Sequence, residues 1–445
     1  MTQFSPKTLL IAVCFMSFSL SQAQEFIEEP IHAKKYSSII REISKENWLV
    51  YSPYDDFAWF TWIDHIGQVF KQTHSAHYTN ALQVSDFEIL DREYVFYCGR
   101  RRDSIGGAWH GVFGHFALSN FMTGNTFNEF KFEDDIYPEK LEVFRVEDEV
   151  HLAMVGKKRA SKFTPLGVII DAYGFGSLPT SWNVKMAERE TLKYDDIAVT
   201  NNYVIVTSRD TTHNYGYIVS FLRPGPSSSF LPPISCNYSH YMAPYDVADT
   251  LLIEACEGDF IATATYSSSF NRNIVTAYNN TTLYATVTMP LLAGVSPILQ
   301  IRDIKYNPFN KTLNLLQHFL YDGELSSVIF HLDSSLANPS NYPAQIKGNA
   351  FVYHKLSSID RLFFNPNHVI ASGHEMFPVE NQWLKIYQHK ESHYENCTKE
   401  IINECSFFGK ENMEFTPRLE ISNPRIGHIV QPRENNEGII KNICK

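Results

Sequence analysis

The chain has 445 residues, with 38 basic against 49 acidic side chains and a formal net charge of −11. That acidic balance argues against nucleic acid and anionic lipid as partners, since both need a basic surface. Beyond that the charge says little, because a soluble acidic protein is the ordinary case.

Residues 1–24 have the form of an export signal. Lys7 supplies the positive start, and TLLIAVCFMSFSL (8–20) is an apolar run too short to span a bilayer. Ser21-Gln22-Ala23 offers small residues where a signal peptidase reads, so cleavage is expected after Ala23 or Gln24. Cys14 follows Val13, not the small residue a lipoprotein signal requires. Removing the segment takes away one base, Lys7, and brings the net charge to −12. No later run reaches the roughly 18 apolar residues of a membrane helix. The expected product is soluble, secreted or periplasmic, and has no membrane span.

Residues 25–47 are expected to form an N-terminal extension. Within it, HAKKYSSIIREISKEN (32–47) carries Tyr36, Ile39, Ile40 and Ile43 at helical spacing, which predicts a short helix. From residue 48 the pattern is β. WLVYSPYDDFAWFTWIDHIGQVFKQT (48–73) predicts two or three strands with turns at Pro53 and Asp64.

An apolar hairpin then recurs about every 55 residues, marked near its start by Asp86, Glu142, Asp196, Asp249, Asp303 and Asp360. The first unit reads as strands VSDFEIL, YVFYCG, WHGVFGHFAL and FNEFKFED, with a turn at Asp91-Arg92-Glu93 and a polar loop RRRDSIGGA (100–108). The second repeats the scheme with EKLEVFRV, EVHLAMVG, TPLGVIIDAY and SWNVKMAE. RPGPSSSFLPP (223–233) reads as a long surface connection, and about 389–414 as a polar insertion. FTPRLEISNPRIGHIVQP (415–432) reads as a last hairpin, which with 48–73 would complete a unit shared between the two ends of the chain.

Four strands per unit and radial spacing resemble the broad class of seven-bladed β-propeller proteins with diverged repeats, over about residues 48–435. The resemblance implies an all-β single domain spanning 48–445, built of seven four-stranded blades closed by N- and C-terminal strands, with six or eight blades as alternatives. The Gly-His and Trp-Asp pairs of WD40 repeats and the paired glycines of kelch repeats are absent, so no functional residue is carried over.

Six cysteines follow the signal segment. An even number in an exported chain points to disulfides. Cys397 and Cys405 are expected to bond, with Cys236–Cys256 and Cys98–Cys444 as the remaining pairs; the other reading makes Cys98 and Cys256 buried thiols. No CxxC or CxxH spacing occurs, so no metal and no cofactor is expected. N-x-Ser/Thr sequons stand at Asn237, Asn279, Asn280, Asn310 and Asn396.

One acid per unit is what a fold requirement produces, whereas a catalytic pair would be special to two units. The marker acids are therefore expected to accept backbone N–H bonds. Arg100, Arg101 and Arg102 form a local anion-binding candidate on an acidic protein. Trp59, Trp62 and Trp109 are aromatic candidates for stacking on a sugar, or core residues packed between sheets. The expected function is a non-catalytic binding propeller holding a glycan or protein on a loop face. A propeller-fold glycosidase or polysaccharide lyase and a structural part of an envelope assembly are the alternatives.

Overall fold

The computed structural model describes Glu25–Glu29, Ile39–Ser44 and, with breaks between strands, residues 47–442; side chains are described mainly between residues 39 and 317. The structure is all-β, and no helix occurs among the described residues.

Strand β1 (Glu25–Glu29) comes first in the chain but pairs late. The first complete sheet follows it: β2 (Ile39–Ser44), β3 (Asn47–Tyr54), β4 (Phe57–Asp64) and β5 (Val69–Ser75). The second holds β6 (Ala81–Leu90), β7 (Tyr94–Arg102), β8 (Trp109–Ala117) and β9 (Phe127–Phe132). The third holds β10 (Ile136–Val146), β11 (Glu149–Lys158), β12 (Leu166–Phe175) and β13 (Asn183–Arg189). The fourth runs β14 (Leu192–Val199), β15 (Tyr203–Asp210), β16 (Tyr215–Leu222) and β17 (Ser239–Asp246). The fifth runs β18 (Leu252–Ala255), β19 (Phe260–Ser267), β20 (Arg272–Asn279) and β21 (Thr282–Thr288). The sixth runs β22 (Gln300–Asn307), β23 (Thr312–Tyr321), β24 (Glu324–Leu332) and β25 (Gln345–Tyr353). In the seventh, β26 (Ser357–Asn365), β27 (His368–Glu375) and β28 (Trp383–Lys390) are completed by β1, which pairs antiparallel with β28.

Five further strands extend outer edges. They are β29 (Lys399–Glu404) on β25, β30 (Glu420–Ser422) on β13, β31 (Ile426–Gln431) on β9, β32 (Arg433–Asn436) on β5 and β33 (Lys441–Asn442) on β1.

The first strand of each sheet lies against the first strand of the next, from β2 to β6 and on through β10, β14, β18, β22 and β26, and β26 lies against β2. The apolar clusters sit between sheets. Because strand side chains alternate, each central strand feeds two clusters. On β7, Val95 and Tyr97 pack toward Phe60 and Leu49 of the first sheet, while Phe96 and Cys98 pack toward Leu152 and Met154 of the third. On β11, Ala153 and Val155 turn instead toward Val204 and Val206 of the fourth. Strands covered on both faces need continuous apolar runs, which is why YVFYCG and EVHLAMVG do not alternate.

Several expectations change. Where a helix is expected over 32–47, residues 39–44 are strand β2, with Ile39, Ile40 and Ile43 buried. β-Branched side chains favour a pleated surface, and pairing with β3 supplies the packing that a short isolated helix lacks. The N-terminal sheet is thus complete by itself. The expected union of 48–73 with 415–432 does not occur, since β30 and β31 join the third and second sheets. The two ends of the chain do share a sheet, but through β1 and β28. Pro53 lies within β3, opposite Ala58, not at a turn. The expected polar insertion contains β29, and the expected loop start at Arg100–Arg102 belongs to β7. Cys98 and Cys256 are free thiols, buried and half-buried, so neither bonds Cys444 or Cys236; burial pushes both thiols up, away from reactivity. Cys397 and Cys405 lie outside the described residues.

The marker acids are not all equivalent. A bulge interrupts pairing at Val84/Asp86, Pro138/Lys140, Tyr194/Asp196, Ile301/Asp303 and Ile359/Arg361. This register makes Asp86, Lys140, Asp196 and Asp303 counterparts. Glu142 falls two places later and Asp360 in the bulge, while Asp249 lies outside the described residues. Two of the marker carboxylates, Asp86 and Asp196, accept backbone N–H groups from the neighbouring sheet rather than from a turn, and Asp86 Oδ1 also accepts the N–H of Phe87 in its own strand. Asp86 Oδ2 accepts from Leu141 (3.3 Å) and Asp196 Oδ2 from Ile253 (3.2 Å).

The same bulge presses the carbonyl before it against the second strand. A Cβ on Gly156 would lie 2.1 Å from the Tyr137 oxygen, and one on Gly99 2.1 Å from that of Gln83. Gly156→Ala should therefore destabilise the fold by at least about 1–3 kcal/mol, read as a lower denaturation midpoint. An unchanged midpoint would show that the bulge relaxes freely.

Candidate functional site

Two polar assemblies stand out, one at the end of β7 and one along the first strands. Strand alternation divides the three arginines. Arg101 is fully buried, and its guanidinium pairs with both oxygens of Glu129, with Nη2–Oε1 at 2.7 Å. The Tyr97 hydroxyl donates to the same carboxylate at 2.8 Å. Burial, and next the Glu129 charge, push the Tyr97 phenol well above its ordinary range. Arg101 is therefore a core residue and leaves the candidate site. A buried Arg–carboxylate pair holds the fold only while both partners remain.

Arg100 and Arg102 emerge on the other side of the strand. Their guanidinium carbons lie 4.8 and 5.3 Å from the centre of the Trp109 ring. Trp109 begins β8 directly opposite Arg102. Arg100 is exposed, and its Nε donates to Gln83 Oε1 at 2.8 Å, which restricts the guanidinium. The Tyr137 hydroxyl donates to the Trp109 carbonyl at 2.9 Å. Its phenol is raised by burial first and by Asp135, with Arg159 and Arg100 pulling the other way. Tyr137 of the third sheet is therefore within electrostatic reach of arginines from both sheets.

The tryptophans separate too. Trp62 is half-buried, packs on the cluster between the first two sheets, and donates to Asn47 Oδ1 at 3.4 Å. It is a core residue, not part of the patch. The side chain of Trp59 lies outside the described residues. Trp109 remains, but with guanidinium groups over its ring. It orients the arginines rather than offering a bare face to a sugar.

The second assembly was not legible as a motif. Counting two places past the bulge, Glu88, Glu142, Ala198 and Lys305 occupy equivalent positions on β6, β10, β14 and β22. Arg41 on β2 bonds Glu88 Oε1 (2.5 Å) and Asp86 Oδ1 (3.0 Å). Lys305 Nζ bonds Glu254 Oε2 of β18 (2.7 Å), whose other oxygen accepts the Tyr306 N–H (3.2 Å). Glu142 takes part in no hydrogen bond or ion pair among the described residues. Burial, then Glu88, raise its carboxyl well above the ordinary range, while Lys305 and Arg41 oppose the shift. Lys305, several sheets away in the chain, pulls the carboxyls of Glu88 and Glu142 down, and the Arg41 charge opposes protonation of Lys305. The signal in the sequence was only one charged residue per unit, and the bulge register was needed to line them up.

No group of three or more histidine, cysteine or acidic side chains among the described residues is placed to hold a metal ion. No family model matches the chain, and no curated protein matches it. Among solved structures, the crystal structure of the Vanderwaltozyma polyspora Nup133 β-propeller domain aligns with 83 % of this chain and 99 % of its own. The identity is 10 % and the TM-score 0.26, too low to support any argument.

A group whose carboxyl is raised in the folded state stabilises the fold below the ordinary glutamate range, and that contribution is lost as pH rises through the raised value. Glu142→Gln removes this loss. Its melting temperature should gain on the wild type as pH rises from the ordinary glutamate range through neutrality. A constant difference across that interval would show that Glu142 titrates as an ordinary exposed glutamate.

Proposed function

We propose that the protein is a seven-bladed β-propeller acting as a non-catalytic binding module outside the cytoplasm. The seven sheets and the contacts of their first strands support the propeller reading, with β1 completing the last blade beside β28. The export-like segment before β1 supports the location. The ligand-binding face carries Arg100, Arg102 and Trp109, and the ligand is a carboxylate-bearing glycan or an acidic protein surface.

The observation that carries this reading is the pair of guanidinium groups held over Trp109 at the edge of the second sheet. Stacking holds the forks in place, so less side-chain freedom is lost when each closes on two oxygens. The net charge of the protein is acidic, so a basic aromatic patch stands out on it as an anion-binding candidate.

The enzymatic alternative, a glycosidase or polysaccharide lyase, draws on the carboxylates of Glu88 and Glu142 on adjacent first strands. Release of reducing or unsaturated ends from a polyuronate would favour it over simple binding.

The double change Arg100→Ala/Arg102→Ala tests the binding reading; Arg101 is left intact because its loss would strand the Glu129 charge. With oligo-uronate and poly-glutamate as probes, the double variant should bind about tenfold more weakly per arginine, equivalent to about 1.4 kcal/mol each. The loss should be larger at low salt. Equal affinity with an intact melting curve would remove this patch.

A further inference from the structure

We infer, resting on the binding reading above, that Ser85 makes the rim patch selective for anions. It stands where the next two sheets carry an acid, and so leaves the Arg100 guanidinium to the carboxylate of a ligand.

Three adjacent sheets share one arrangement. A bulge interrupts the ladder between the first two strands of the second, third and fourth sheets, and the residue inside it is Ser85, Glu139 and Asp195 in turn. Just before the bulge, the register pairs Gln83 with Arg100, Tyr137 with Lys157 and Lys193 with Arg209. The three bases are therefore counterparts on β7, β11 and β15. In the third sheet the bulge carboxylate of Glu139 bonds Lys157. In the fourth, Asp195 accepts from Arg209 with both oxygens, at 2.6 Å from Nε and 3.1 Å from Nη2. Each base is answered by the acid of its own bulge.

The second sheet departs from this pattern. Ser85 carries no carboxylate, and the Arg100 Nε donates to the neutral amide oxygen of Gln83 at 2.8 Å. Its other contact is the Trp109 ring, 4.8 Å away, and no carboxylate meets it among the described residues. An amide oxygen satisfies one donor but cancels no charge. The positive charge that Glu139 and Asp195 neutralise in the neighbouring sheets therefore persists at Arg100, which is exposed. A charge-assisted bond to an oxyanion is the strongest one still open to this guanidinium. A carboxylate is also the group its counterparts accept. A ligand carboxylate at Arg100 thus plays the part that Asp195 plays at Arg209, and an acid at position 85 would compete with it.

A double-mutant cycle on the full chain tests this, with oligo-uronate as the probe. Ser85→Asp restores the acid of the other two sheets and should weaken binding about tenfold, as much as Arg100→Ala does. In the Arg100→Ala background the same change should cost less than about twofold, because the pair it needs is gone. Ser85→Asn, which matches aspartate in size without its charge, should bind as the wild type does, and every variant should melt as a folded protein. The rate at which phenylglyoxal modifies Arg100, followed by peptide mass spectrometry, reads the same coupling with no ligand present. Ser85→Asp should slow that rate by about two- to fivefold, and Ser85→Asn should leave it unchanged. Equal weakening by Ser85→Asp with and without Arg100 overturns the proposal, since the added charge would then act at a distance. A modification rate that Ser85→Asp does not change overturns it as well. Absence of oligo-uronate binding by the folded wild type defeats the binding reading, and the modification rate still decides whether position 85 governs Arg100.

Discussion

The structure depends on how the exposed edge of each first strand is satisfied. A strand at a sheet edge carries a row of backbone N–H groups that its own ladder does not use. Where two such edges meet, those groups leave water, and each unmet donor costs about 1–3 kcal/mol. This protein meets them with carboxylates from the preceding sheet. Asp86 takes the Leu141 N–H, Asp195 the Leu251 N–H, Asp196 the Ile253 N–H and Glu254 the Tyr306 N–H. At Asp86 and Asp196 the recurring acid therefore joins one sheet to the next, a structural role that does not invoke catalysis.

The same device produces the charge set that gathers between the first strands. Carboxylates drawn inward to bind backbone must themselves be balanced, and Arg41 and Lys305 do so at two places. At the third sheet the acid stands two residues past the bulge, where it reaches no backbone donor. Glu142 is thus the residue in which the joining pattern slips, and an unbalanced carboxyl results.

The rim patch arises from a different rule. Alternation along β7 sends Arg101 inward to Glu129 and its two neighbours outward to Trp109. Two guanidinium groups thus lie over one indole, that of exposed Arg100 and that of half-buried Arg102. Long connections are also pinned from within. Glu149 accepts the N–H and hydroxyl of Ser227, and Asp171 accepts the N–H of Phe230, so residues 223–231 follow the third sheet closely. His151 lies between these carboxylates, stacked between Phe144 and Tyr173 at 5.0 and 5.2 Å. The buried polar groups here hold a loop in place.

By itself the sequence determined the local features. Unbroken apolar runs such as YVFYCG announced strands covered on both faces, and Asp91-Arg92, both with positive φ, announced the tight hairpin between β6 and β7. The strand scheme of the second and third sheets was legible for the same reason: hairpin neighbours are close in the chain. Tertiary structure decided everything that joins distant residues. Ile39, Ile40 and Ile43 fit a helix as well as a strand until β3 is laid beside them. β1 has no partner within 350 residues, so its place next to β28 leaves no local trace. The three arginines are equal in the sequence, and only Glu129, 28 residues on, makes the middle one core. Equivalence of Glu88, Glu142 and Lys305 depends on a one-residue bulge, which shifts the facing of every later side chain and which spacing between marker residues does not reveal.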